Sequence, residues 1–112
     1  MKKFEYRAPR FGVDLPARFS VGNQPMVGRC REISRDGMIF EFVEPLALNA
    51  QGTIAVTFHE RTIELKARVA HVDGFRSGLA FLYDSESERT AVAHLVATLP
   101  SVQNRPGPVL LS

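Results

Sequence analysis

Cysteine is nearly absent from this chain of 112 residues: Cys30 is the only one, so no internal disulfide can form, in keeping with a reducing compartment. Long apolar runs are missing too. The opening Met1-Lys2-Lys3-Phe4-Glu5 lacks the apolar stretch of a signal peptide, and no segment reaches membrane-spanning length. The expectation is a cytoplasmic protein without membrane insertion. His59, His71 and His94 have no metal-ligand spacing with one another and Cys30 has no cysteine partner, which argues against a metal site or a cofactor. A glycine-rich phosphate loop, an HExxH pair and a nucleophile elbow are likewise absent, and nothing brings a base and an orienting acid to a serine. The chain is therefore not read as an enzyme.

What the sequence does contain is a period of two. Val13, Leu15, Ala17, Phe19 and Val21 alternate with Asp14, Pro16, Arg18 and Ser20 up to a turn at Gly22-Asn23-Gln24-Pro25, the pattern of a half-buried strand. Met26 to Ile33 forms a second strand. After Gly37, Met38, Phe40 and Phe42 alternate with Ile39, Glu41 and Val43. Ile54, Val56 and Phe58 continue the pattern, as do Ile63, Leu65, Ala67 and Val69 beyond a tight connection at His59-Glu60-Arg61. Asp73-Gly74 is a hairpin signal, and a last strand runs from Phe75 to about Tyr83. Six short strands at regular spacing favour a mainly β protein, a closed antiparallel barrel in which no edge is left exposed.

One helix follows. Ser85-Glu86-Ser87-Glu88 reads as a capping box, with Glu88 returning to Ser85, and Val92, Leu95, Val96 and Leu99 lie on one helical face that should pack on the barrel. The expected organisation is a flexible basic arm at residues 1–12, a barrel with its helix at 13–99, and a tail at 100–112 that is disordered or loosely docked. An apolar Val109-Leu110-Leu111 near the end of that tail is available to a surface or a partner.

The 112 residues, 45% apolar, suit a single domain with one core. Net charge is +2 but uneven: residues 1–37 carry eight cationic against four acidic side chains, and the remainder six against eight. The excess coincides with two polar clusters. One is Tyr6-Arg7-Ala8-Pro9-Arg10, just before the first strand; the other is Glu32-Ile33-Ser34-Arg35-Asp36-Gly37, between two strands. Basic residues here suit an anion, against the alternative of an ordinary solvated face. Nucleic acid is not the expected partner, because Phe40, Phe42 and Phe58 alternate as core residues rather than as a stacking platform.

The two clusters on this order of strands resemble the PilZ domain, a bacterial receptor module for cyclic di-GMP, over about residues 4–99. That family has an N-terminal RxxxR segment and a D/N-x-S-x-x-G motif. Arg10 matches the second arginine, Tyr6 stands where the first would be with Arg7 one residue later, Ser34 and Gly37 match, and Glu32 replaces Asp or Asn. The resemblance implies a six-stranded split-type barrel with a packed C-terminal helix, and cyclic di-GMP as ligand. Arg7 and Arg10 would bind phosphate or guanine, Glu32 the guanine N–H donors, and Ser34 would add a hydroxyl. Gly37 would allow close approach or a positive φ, with Tyr6 and Arg35 as further contacts. Taken singly, Glu32 also reads as a salt-bridge partner of Arg10 or Arg31, and Ser34 and Gly37 as ordinary turn residues.

Two function classes follow. In one, ligand orders the arm and the new surface engages an unidentified downstream protein; in the other, the altered motifs no longer bind ligand and the domain is a protein-interaction adaptor. A chain this short is expected to carry no fused output domain and to act through another protein, as a monomer or homodimer.

Overall fold

The computed structural model describes residues 9–99, so Tyr6, Arg7 and the segment 100–112 lie outside the described residues. The alternating segments become six antiparallel strands: β1 (Phe11–Val21), β2 (Gln24–Ile33), β3 (Gly37–Glu41), β4 (Gln51–Phe58), β5 (Arg61–Asp73) and β6 (Arg76–Leu82). They close in the order β1-β2-β3-β6-β5-β4, with β4 pairing back onto β1. The inward positions of the alternation form the core, where Phe19, Cys30, Phe40, Ile54, Ala67 and Val69 are fully excluded from water. Burial pushes the Cys30 thiol up to about 12, so it acts as a small apolar side chain and not as a nucleophile.

Strand β1 begins at Phe11, two residues before the alternation becomes visible in the sequence, and Phe11 pairs with Ile33. The first turn is shorter than its composition suggests. Gln24 and Pro25 already belong to β2, which leaves Gly22 and Asn23 as a two-residue connection with Gly22 at φ 61°.

Three irregularities interrupt the ladder. Between Gly12 and Leu15, β1 carries one residue more than β2. Cys30 and Glu32 of β2 face the consecutive residues Phe40 and Ile39, leaving Arg31 as the extra residue. Val69 and His71 of β5 face Leu79 and Gly78, leaving Ala70 extra. A bulge shifts the facing of everything beyond it by one position. That is why Cys30 and Ile33, three residues apart, are both buried, and why Glu32 takes the outward place opposite Ile39.

Helix α1 (Glu86–Ala97) starts at Ser85, whose hydroxyl accepts from the Glu88 amide at 3.2 Å. The return bond differs from the expected box: the Glu88 carboxylate accepts from the Asp84 amide at 2.8 Å rather than from Ser85. Its reach extends past the cap to the last residue of the β6 connection. Val92, Leu95 and Val96 are buried, and Leu99 completes that face just beyond the helix. No helix among the described residues is long and apolar enough to cross a membrane.

Candidate ligand groove

Where β2 turns into β3, the Ser34 side chain is almost wholly buried and its hydroxyl oxygen accepts from the amides of Asp36 at 3.0 Å and Gly37 at 3.3 Å. The Ser34 amide donates to the Gly37 carbonyl at 2.8 Å. Serine at this place therefore closes the turn on itself, as short hydroxyl side chains do. Gly37 is needed for a different reason from conformational freedom, since it is not among the positive-φ glycines. A Cβ there would lie 2.2 Å from the Leu79 carbonyl oxygen of β6, so of the two roles open to this glycine the structure selects close backbone approach.

The turn is anchored on its far side as well. The Tyr83 phenol donates to the Arg35 carbonyl, the Asp36 carbonyl accepts from the Phe81 amide at 3.0 Å, and the Arg89 guanidinium of α1 sits 4.6 Å above the Tyr83 ring. Burial is the main reason that the Tyr83 phenol, already a donor at neutral pH, is pushed up to about 12.

Beside this turn lies a groove of about 380 Å³. Its floor is two cross-strand rows on the outer face of the barrel. One runs Glu32, Ile39, Gly78, His71 across β2, β3, β6 and β5; the other runs Gly37, Ala80, Arg68 across β3, β6 and β5. Gly78 and Ala80 keep this floor low, and the His71 ring lies directly on Gly78: a Cβ there would come within 2.2 Å of the ring. Two of the bulges thus do the same thing from opposite sides. The one at Arg31 brings Glu32 into the row at one end, and the one at Ala70 brings His71 into it at the other.

Arg10 enters from the N-terminal side, with Nη1 3.2 Å from Glu32 Oε1. Arg31, the other possible partner of Glu32, is engaged elsewhere, 2.8 Å from Asp14 and 3.2 Å from Glu41. On the opposite wall Arg68 donates from Nη1 to Asn49 Oδ1 at 3.2 Å. Of the residues singled out in the sequence, Arg10, Glu32, Ser34 and Gly37 come together at the groove, while the Arg35 side chain is exposed and not part of its lining. Tyr6 and Arg7 fall outside the described residues. Sequence reasoning missed Asp36, Ile39, Arg68, His71, Gly78 and Ala80, which also line it. The only linear signal for them was Asp36 within the turn cluster. Among the described residues, no group of three His, Cys, Asp or Glu side chains is placed to hold a metal ion.

With arginines on two walls, carboxylates at Glu32 and Asp36 and a low floor between, the groove suits a flat ligand that carries both negative charge and N–H donors. The sequence matches the family model of the PilZ domain over residues 5–98. No curated protein matches it. Among solved structures, the fold is similar to the PilZ domain of CeSA from a cellulose-synthesizing bacterium, at TM-score 0.66 and 16% identity over 79% of this chain and 94% of that one. It is also similar to the Bacillus subtilis inhibitor of motility MotI/DgrA, at TM-score 0.69 and 13% identity, over 83% of this chain and 49% of that one. A third similar structure is the K. pneumonia MrkH–c-di-GMP complex, at TM-score 0.71 and 15% identity, over 85% of this chain and 52% of that one. The chain thus spans about half the length of the last two.

Proposed function

The chain belongs to the PilZ domain family, and on that footing we propose that it is a receptor for cyclic di-GMP, bound in the groove beside the Ser34–Gly37 turn. The observation that carries this reading is the meeting of Arg10 with Glu32 at the mouth of that groove, 3.2 Å apart, which joins the two motif halves on one surface. Cyclic di-GMP has two phosphates and two guanines. An arginine fork binds phosphate oxygens or the O6 and N7 edge of guanine, and its plane stacks on a base. Glu32 and Asp36 offer acceptors to the guanine N1 and N2 donors. Ser34 serves indirectly, by holding the turn that presents Asp36 and Gly37.

Phe11 and Gly12 are already paired in β1, so it is the residues ahead of them, up to Arg10 and with Arg7 and Tyr6, that are proposed to close over the bound nucleotide, and the ordered arm then forms part of a surface for a downstream protein. Ordering a segment on binding lets a small ligand remodel a large surface. The structure of MrkH, a protein of this fold in complex with c-di-GMP, supports the choice of ligand without assigning the contacts.

Calorimetric titration with cyclic di-GMP, against GTP and cyclic di-AMP as controls, tests the reading. Selective binding at about micromolar affinity or tighter is expected. No heat from a folded protein at high ligand concentration would overturn it, and the adaptor reading would then stand in its place.

A further inference from the structure

The far wall of the groove belongs to no recognised motif, yet it is built around a cation. Among the described residues Arg10, Arg18, Arg29, Arg31, Lys66, Arg76 and Arg89 each have a carboxylate partner; Arg35, Arg61 and Arg68 have no such ion pair, and of these three only Arg68 is half-buried and lines the groove. Its guanidinium donates to the neutral Asn49 side chain, which orients it without cancelling its charge. Asn49 is itself held in the left-handed region at φ 72°, and its amide donates to the Val69 carbonyl at 2.9 Å. Next to Arg68 on the same strand, the bulge at Ala70 turns His71 onto Gly78 and closes that end of the groove.

We propose that Arg68, oriented by Asn49 and flanked by His71, is a second anion-binding position that takes a phosphate of the nucleotide bound in this groove. Gly37, Ala80 and Arg68 lie in one cross-strand row, so the turn and Arg68 are two strand spacings, about 10 Å, apart across the floor. A ligand with a single phosphate meets one wall. A ligand with two, lying on the low floor of Gly78 and Ala80, meets Arg10 on one side and Arg68 on the other. Asn49 is a positioning residue in this arrangement: it fixes which of the five N–H groups of Arg68 remain free.

This inference rests on the proposed receptor function, and the test separates the two. Cyclic di-GMP is titrated into wild type, Arg68→Ala, Asn49→Gly, Arg10→Ala and the Arg10→Ala/Arg68→Ala double variant, with melting temperature as the control for folding. Glycine at 49 keeps the positive φ without strain and removes only the side chain. Arg68→Ala is expected to weaken binding by about tenfold to a hundredfold, the loss of one charge-assisted contact. Asn49→Gly should give a smaller loss of the same sign. The fold-losses of Arg10→Ala and Arg68→Ala should multiply in the double variant, because separate walls grip separate groups. Wild-type binding with unchanged affinity in folded Arg68→Ala would overturn the second position while leaving the receptor reading intact. Absence of wild-type binding would overturn both.

Discussion

Arg10 Nη1 and Glu32 Oε1 lie 3.2 Å apart, joining the segment ahead of β1 to the end of β2 at the mouth of the groove. Both side chains remain more than a third exposed, so the pair is worth little to folding, about 0–1 kcal/mol. Its value is in placing a guanidinium beside the turn.

Arg10→Ala is therefore expected to separate binding from stability. Affinity for cyclic di-GMP should fall by more than about tenfold, while the melting temperature changes by no more than about 5 °C. Titration calorimetry and thermal denaturation of the same preparation check it; equal loss of both would mean that Arg10 holds the fold together.

The two groove glycines should respond differently to a methyl group. Gly37→Ala drives a Cβ into the Leu79 carbonyl, which is backbone and cannot move aside, so a loss of about 2 kcal/mol, or roughly 10 °C in melting temperature, is expected. For Gly78→Ala the nearest obstacle is instead the ring of exposed His71, which can rotate away at a cost below about 1 kcal/mol. Adding His71→Ala to Gly78→Ala should remove even that cost, as a double-mutant cycle of thermal melts would show.

Ser34→Ala takes the acceptor from the amides of Asp36 and Gly37 at a side chain that is itself almost fully buried. A loss of about 1–3 kcal/mol in denaturant unfolding is expected, with weaker ligand binding as a consequence of the loosened turn. Retained stability with lost binding would show that the hydroxyl contacts ligand directly.

The strands were legible because alternation is a local signal, and the N-cap at Ser85 because it needs only four consecutive residues. The turn residues Ser34 and Gly37 were legible as residues, but their separate reasons, one closing the turn and one admitting β6, depend on neighbours more than forty positions away in the case of Leu79. The groove's far wall was not legible at all. Arg68 and His71 come opposite Gly37 and Glu32 only because β3 pairs with β6 and not with β4, and no local pattern states that order. The bulges at Arg31 and Ala70 were hidden for a related reason: each shifts the phase by one residue within a strand that still looks continuous. Their traces in the sequence were the three-residue spacings between inward apolar residues, Cys30 and Ile33 on β2 and Val69 and Val72 on β5.

Acid sensitivity should arise in part from Asp14. The Arg29 side chain, bonded to it at 2.8 Å, is the main cause of its pKa lying below 3.8, with Arg31 adding to the effect. A carboxylate depressed in the folded state stabilises the fold above its unfolded value and loses that contribution as pH falls through its folded value. Unfolding measured as a function of pH should show the stability of wild type falling more steeply below about pH 4 than that of Asp14→Asn, and the difference should shrink in high salt. Parallel acid profiles would remove Asp14 from the account.

The placement of the ligand is tested most directly by amide chemical-shift mapping during titration with cyclic di-GMP. The largest shifts are expected on Ser34 to Gly37, Ile39, Gly78, Ala80 and the Arg68–His71 stretch, bordering one groove on one face of the barrel. Shifts concentrated instead on the exposed apolar residues Val27, Val43 and Phe75, or no shifts at saturating nucleotide, would contradict it.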